Sequence, residues 1–499
     1  MNGIAHLIVV LSIAIIAIVM RTQGLSWPFD YDGYDEGVYW QTLRAMHSGF
    51  GLYDQVFYSQ PPLFALSIYP FYVAFGQSIT AARTGIAVLS LLGLLGAYMI
   101  GKALASRVGA LAAMGLLVST PIFLRQSQVL EAEGPSTAFL LLSIGAALLW
   151  WATPLGKRGI WFAILCGATF SIGVLIKLLD VTAGVPILML ILWRIWIVRH
   201  EGNPKGLSNL MPIVLGFLSA AGVVLIALIP FLHTLGPLLD QVVTYHLAAK
   251  SVWHTDNLEI LGRFFAANSL LAAAAGVGAF VVLIRRDWRV IPLLAWLLTS
   301  IVVLATQLPL FSRHAIILVP PLIAIAVCGI GELPAPRSVR RIRDVRKASV
   351  MGGLLSGLLV FIAALAGMIN SFNYYRELSA RAESNEARNT ARMAADLRQV
   401  TSSDQWIITD AQFVAALADR DTPPWLVDTS HVRILTAYLT TQNAIESASN
   451  PRVHAVLFAT NRFANTPTAN FYDWVAERFV LRVQYGRGIE LFSRQTPFQ

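Results

Sequence analysis

The sequence is short of charge. Only 13% of its 499 residues are Asp, Glu, Lys or Arg, and 56% are hydrophobic. A soluble domain carries about 25% charged residues, so a water-soluble globular enzyme is excluded. Cysteine is scarce as well. Cys166 and Cys328 both lie in apolar runs, which leaves no basis for a disulfide framework or a cysteine metal site. The N-terminus, "MNGIAHLIVV", has no basic stretch ahead of its apolar run, and no small-residue cleavage site follows Met20. It is expected to be a retained anchor rather than a signal peptide.

What the chain has in abundance is apolar length. A membrane span takes about 20 apolar residues. About eleven stretches qualify: 4–20, 81–100, 108–124, 135–152, 160–176, 181–198, 208–231, 267–284, 290–306, 314–331 and 350–370. The net charge of +9 is spread over the connections between them. Lys102 and Arg107, Lys157 and Arg158, Arg194, Arg199 and Lys205, Arg285, Arg286 and Arg289, and "RSVRRIRDVRK" at 337–347 all fall on one side of such a chain. Basic loops mark the cytoplasmic side. The charge therefore orients the protein in its membrane, and no nucleic-acid partner is expected. The first loop (21–80), the loop 232–266 and everything after 370 become extracytoplasmic, with the two termini on opposite sides.

The segment 371–499 changes character. A charged helical stretch leads into short apolar runs, "WIIT" (406–409), "WLVD" (425–428), "VHAVLFAT" (453–460) and "FVLRVQY" (479–485), which alternate with helix-like segments. That pattern predicts a small α/β domain. It contains no glycine-rich phosphate loop, so nucleotide binding is not indicated. The chain is thus expected to divide into a membrane domain, 1–370, and an outer domain, 371–499.

The densest acid cluster stands just after the first span: Asp30, Asp32, Asp35 and Glu36 within "WPFDYDGYDEGVYWQTLRAMHSG". From Asp35 onward Tyr39, Leu43, Met46 and Phe50 form one apolar stripe, with Glu36, Trp40, Arg44 and His47 on another face. This predicts a helix lying along the membrane surface. Pro61 and Pro62 suit the start of a second helix. The plain role for Asp35 is a helix N-cap, and for Asp30 and Asp32 a solvated turn. A calcium loop is not expected, because Tyr34 stands where a third ligand should be. A divalent metal held through Asp30-x-Asp32 is an alternative to the turn, not the preferred reading.

The stretch "YDEGVYWQTLRAMHSGFGLYDQ", followed by "SQPPLFAL", resembles the first outer loop of GT-C glycosyltransferases. It is most similar to their protein mannosyltransferase and lipid A aminoarabinose transferase branch. The resemblance implies an α-helical polytopic membrane protein with a small C-terminal extracytoplasmic α/β domain. It also implies transfer of a sugar, with inversion, from a polyprenyl-monophosphate donor to a hydroxyl of a protein, lipid or glycan acceptor, and no cofactor. Asp35 would be the general base, and Glu36 would orient it or bind the acceptor. Glu133 or Glu131, a few residues before Phe139, would be the family's second acid. Arg313, Lys177, Arg125 and His314 would contact the donor phosphate, although an aromatic is expected where His314 stands.

Each of these residues also has an ordinary role. Arg125 suits an interfacial ion pair with Glu131 or Glu133. Lys177 suits a snorkelling lysine paired with Asp180, and Arg313 an interfacial anchor. In 232–266, His246, Lys250, Trp253, His254 and Arg263 lack the spacing of a zinc site. This loop is expected to cover the site, with Trp253 stacking on a sugar or sitting in the membrane belt. Three rival readings remain: a transporter, whose charges would mark a translocation path; a non-catalytic membrane scaffold; and a diphosphate-donor oligosaccharide transferase or ligase, which would favour a metal.

Overall fold

A computed structural model of the chain describes residues 3–28, 33–154, 156–200, 206–331 and 343–494. Asp30, Asp32, Lys205 and most of the basic segment 337–347 lie outside the described residues.

The apolar stretches are helices. In order they are α1 (Gly3–Thr22), α2 (Tyr34–His47), α3 (Pro62–Ala74), α4 (Ile79–Ser119), α5 (Pro121–Gln126), α6 (Glu133–Ala152), α7 (Gly156–Ile176), α8 (Gly184–His200) and α9 (Gly206–Leu228). Then come the short α10 (Leu235–Leu239), α11 (Tyr245–Val252), α12 (Asn257–Ala267), α13 (Ser269–Ile284), α14 (Ile291–Thr306), α15 (Val319–Cys328), α16 (Arg343–Ala382) and α17 (Asn385–Val400). Among the described residues seven helices are long and apolar enough to cross a membrane, or eight if α12 and α13, bent by 83° at their junction, count as one span. Two of the expected spans are shorter helices, α14 and α15, the latter entered through a tight 3-10 segment, Ser312–Leu318. The stretches 81–100 and 108–124 are joined in α4, which folds back at Ala105 and Ser106 (φ 62°, ψ −153°). The two limbs touch so closely that a Cβ on Gly101 would stand 2.1 Å from the Gly109 carbonyl oxygen. The same device joins α7 to α9, where a Cβ on Gly167 would meet the Gly216 oxygen at 2.0 Å. Small residues let apolar helices approach backbone to backbone, where packing rather than the hydrophobic effect holds them. The protein is a multi-pass integral membrane protein.

Helix α16 runs through position 370 and leads, by way of α17, into a four-stranded sheet of order β1-β2-β4-β3: β1 (Trp406–Thr409), β2 (Val453–Phe458), β3 (Val480–Gly486) and β4 (Ile489–Ser493). β1 and β2 are parallel, and β4 is antiparallel to both β2 and β3. Three of the apolar runs in this region are therefore strands. "WLVD" is not: it lies at the 3-10 turn Pro424–Leu426, because the prolines at 423 and 424 cannot supply the N–H groups a ladder needs. The strand "IELFS" at 489–493 was not anticipated.

Candidate active site

Helix α2 sits at the end of the bundle that carries the sheet domain. Its N-cap is Gly33, in the left-handed conformation (φ 52°), with no side chain capping the free N–H groups. The N-cap role for Asp35 is thus corrected. It lies inside the first turn, and its carboxylate is turned outward. The surface-helix expectation is corrected as well, because both faces of α2 are covered. Leu43 packs among the first-loop helices, while Trp40 meets Phe413 edge to face at 5.7 Å. Phe413 belongs to α18 (Gln412–Leu417) of the C-terminal domain. Gly37 makes this docking possible: a Cβ there would lie 2.2 Å from the Phe413 nitrogen. Arg44 clamps the same interface with Asp419 and Asp421, both at 2.7 Å, and Gln41 donates to the Arg420 carbonyl at 2.8 Å.

Asp35 and Glu36, adjacent in sequence, face different worlds. Glu36 points into the protein, 1% exposed. Its carboxylate accepts two bonds from the Arg83 guanidinium, at 2.8 and 2.5 Å, and one from the Leu130 N–H at 2.8 Å. Arg83 is equally buried and also donates to the carbonyls of Leu25 and Trp27. This pair ties α2, α4, the exit of α1 and the entry to α6 together. Asp35 instead ion-pairs with Arg313 at 2.6 Å, with about a third of its side chain accessible (32%). Burial raises its pKa above the ordinary carboxylate range. The Arg313 charge opposes that shift, and the nearby Glu133 and Asp428 add to it.

The second acids and the cations converge on the same point. Glu133 Oε1 lies 3.0 Å from Lys177 Nζ, 3.5 Å from Arg313 Nε and 3.6 Å from His314 Nε2. Glu131 stands 3.9 Å from Arg313. Both glutamates are 3% exposed, so these charges are not the hydrated helix-end groups that position alone suggests. Lys177 pairs with Glu133 and reaches the Gln60 amide oxygen at 3.3 Å, in place of the expected Asp180. Glu131 has its pKa pushed up to about 8, first by burial, with Arg313 opposing, Glu133 and Asp35 adding, and Arg125 exerting a weaker opposing pull. Arg313 is stacked over Phe311, 4.5 Å from its ring centre. His314 Nδ1 accepts from the Phe311 N–H at 3.4 Å, which leaves Nε2 to carry the proton toward Glu133. Among the described residues no three His, Cys, Asp or Glu side chains form a metal-ligand group. The cation between Asp35, Glu131 and Glu133 is the Arg313 guanidinium.

Asp35, Lys177, Arg313 and His314 line one cavity of about 340 Å³. The first loop supplies Tyr34, Tyr39, Ser59 and Gln60. The bundle adds an apolar side, Leu178, Val181 and Val303, together with the Gln307 amide. The loop 232–266 is largely helical and contributes Tyr245, His246 and Ala249, while the C-terminal domain closes the wall with Asp428, Ser430 and Val432. Trp253 is elsewhere, with its ring 5.7 Å from that of His431. Glu131, Glu133, Glu36 and Arg125 are not part of the lining. Gln60, Arg83 and Asp428 escaped the sequence reading, since nothing local marks them.

A family model described as dolichyl-phosphate-mannose-protein mannosyltransferase matches residues 59–232. No curated relative matches the chain by sequence. Among solved structures, ArnT from Cupriavidus metallidurans bound to undecaprenyl phosphate superposes with a TM-score of 0.65 at 12% identity, over 98% of this chain and 97% of that one. The apo oligosaccharyltransferase of Archaeoglobus fulgidus superposes with a TM-score of 0.54 at 13% identity, over 94% of this chain and 71% of that one. With its helical bundle, its long first loop and a sheet domain over one end, the chain has the GT-C fold and resembles the protein mannosyltransferase and lipid A aminoarabinose transferase branch of that superfamily.

Proposed function

We propose that the protein is an inverting glycosyltransferase that moves a sugar from a polyprenyl-monophosphate donor to an acceptor hydroxyl at the outer face of the membrane, with Asp35 as general base. One observation carries the reading. One cavity places an accessible carboxylate, Asp35, beside the cations Arg313 and Lys177, with an apolar side toward the bundle. That combination suits a phosphate, a sugar and a lipid stem held together. The likeness to an ArnT bound to undecaprenyl phosphate supports the same donor class.

The chemistry follows from the positions. Arg313 offers a guanidinium fork to the donor phosphate, and Lys177 adds a point charge. Both neutralise the charge that builds on the phosphate as the bond to the anomeric carbon breaks. Asp35 takes the acceptor's proton as its oxygen attacks the opposite face of that carbon, which inverts the centre. The transition state is oxocarbenium-like, as in glycoside hydrolysis. Glu133 holds Lys177, Arg313 and His314 at one height and balances their charge while the site is empty. As the phosphate takes over part of Arg313, the ion pair that keeps Asp35 deprotonated loosens and the carboxylate becomes a stronger base. Glu36 contributes by fixing the helix turn that carries Asp35.

Orientation rests on the basic loops. The chain direction puts Lys102, Arg107, Lys157, Arg158, Arg199 and Arg285 at the helix ends opposite those bearing Glu133, Lys177 and Gln307. With basic loops cytoplasmic, the cavity and the sheet domain are extracytoplasmic. The test is transfer in membranes from polyprenyl-monophosphate and polyprenyl-diphosphate sugars, with and without a chelator. Chelator-insensitive transfer from a monophosphate donor is expected. Transfer confined to diphosphate donors plus a divalent metal would move the protein to the oligosaccharide-transferase reading. Vectorial sugar transport without any transfer would favour a transporter.

A further inference from the structure

The wall of the cavity built by the C-terminal domain has its own chemistry. Asp428 is 6% exposed and lines the cavity. Its Oδ1 accepts from the Tyr34 hydroxyl at 3.1 Å and from the Ser430 N–H at 2.8 Å, and neither bond uses Oδ2. The segment that carries it is held firmly. Arg433 donates to the carbonyls of Trp425 and Asp428, and its guanidinium lies 3.8 Å from the Phe57 ring centre and 4.9 Å from that of Trp425. Arg462 packs on the other partner, 3.7 Å over the Tyr34 ring. Tyr34 and Asp35 are consecutive. One residue grips the C-terminal domain and the next presents the base, so the first turn of α2 fixes the distance between the two carboxylates. Asp428 is near enough for its charge to act on Asp35 and on His246.

On the reading of the site given above, the transferred sugar sits in the cavity beside Asp35 and the phosphate cations, in the space this wall borders. We infer that Asp428, with the Ser430 hydroxyl beside it, binds ring hydroxyls of the transferred sugar and sets which sugar is accepted. A carboxylate with one oxygen committed to the protein and the other free offers a fixed acceptor for sugar O–H groups. It cannot pair with the donor's phosphate, which carries the same sign of charge. The role of the C-terminal domain would then be to read the sugar, with Asp428 as a specificity residue.

The test uses the full-length protein in nanodiscs, titrated with two kinds of probe: undecaprenyl phosphate alone, and the same lipid carrying hexoses or pentoses. Asp428→Asn keeps an oxygen for Tyr34 and Ser430 and changes only the group left for the cavity. Its affinity for the preferred glycosylated lipid should fall about tenfold to a hundredfold, the scale of one hydrogen bond to a charged group, with affinity for the bare lipid unchanged. Ser430→Ala should show a smaller loss with the same selectivity. Equal loss for both lipids, or no loss for either, would overturn the inference. Wild-type protein that binds neither lipid would instead overturn the donor assignment on which it rests.

Discussion

Glu36 separates a positioning role from a chemical one, and the structure assigns a size to the difference. The Glu36–Arg83 pair is buried on both sides, at 2% and 1% side-chain exposure, so solvent screening does not dilute it. Glu36→Gln preserves the shape and one acceptor oxygen, but leaves the Arg83 guanidinium buried without its counter-charge. Removing one partner of a buried pair costs about 3–5 kcal/mol. Weakening the bond from the Leu130 N–H adds to that loss, because this bond sets the height of the segment that leads to Glu131 and Glu133. The variant should therefore unfold at a clearly lower denaturant concentration in mixed micelles, followed by circular dichroism. Glu36→Leu combined with Arg83→Met, which removes both charges, should recover much of the loss, since an apolar replacement of a buried pair is often neutral or better. Transfer should fall in proportion to the folded fraction plus the misplacement of Asp35. Wild-type stability in Glu36→Gln together with a hundredfold loss of transfer would refute this account and give Glu36 a direct part in the chemistry.

Other consequences can be checked as directly. Burial lifts the Asp35 pKa above the ordinary carboxylate range and Arg313 restrains it. A base works only when deprotonated, so kcat/KM should fall as pH drops through that raised value, above the usual aspartate value of about 4. Arg313→Gln should move this acid limb to higher pH while cutting the rate, and an unmoved limb would contradict the pairing. Gly37→Ala places a Cβ against the Phe413 backbone. It should loosen the C-terminal domain, seen as faster proteolytic cleavage in that domain and weaker transfer, and wild-type behaviour in both would show that the interface is less tight than described. Deleting 371–499 should leave the Trp40 face of α2 uncovered and abolish transfer, whereas full turnover by the truncated chain would remove the domain from the site.

The bundle was legible because a helix in a membrane must satisfy its backbone internally over about 20 apolar residues, and such stretches stand out one by one. Asp35 and the cations Lys177 and Arg313 were also visible, as rare charges at helix ends and through resemblance. What stayed hidden was pairing across distance. Whether Lys177 meets Asp180, three residues away, or Glu133, in another helix, depends on how α6 and α7 pack. Whether Glu36 orients Asp35 or binds the acceptor could not be read locally, because its partner Arg83 lies 47 positions downstream. The apolar and polar faces of α2 suggested a membrane surface, yet the polar face carries Gln41 and Arg44 toward a domain nearly 380 residues away. Asp428 lies in a run that looked like a strand, and only the tertiary fold brings it opposite Tyr34.

The most direct test of the central claim is transfer from a panel of radiolabelled polyprenyl-phosphate sugars in membranes carrying either the wild-type chain or Asp35→Asn. The substitution keeps size and an acceptor oxygen for Arg313 while removing the base and its negative charge. Transfer by the wild type with about a hundredfold or greater loss in the variant is predicted, the scale expected of a general base. Equal transfer by both would contradict the account and leave Asp35 as no more than the partner of Arg313.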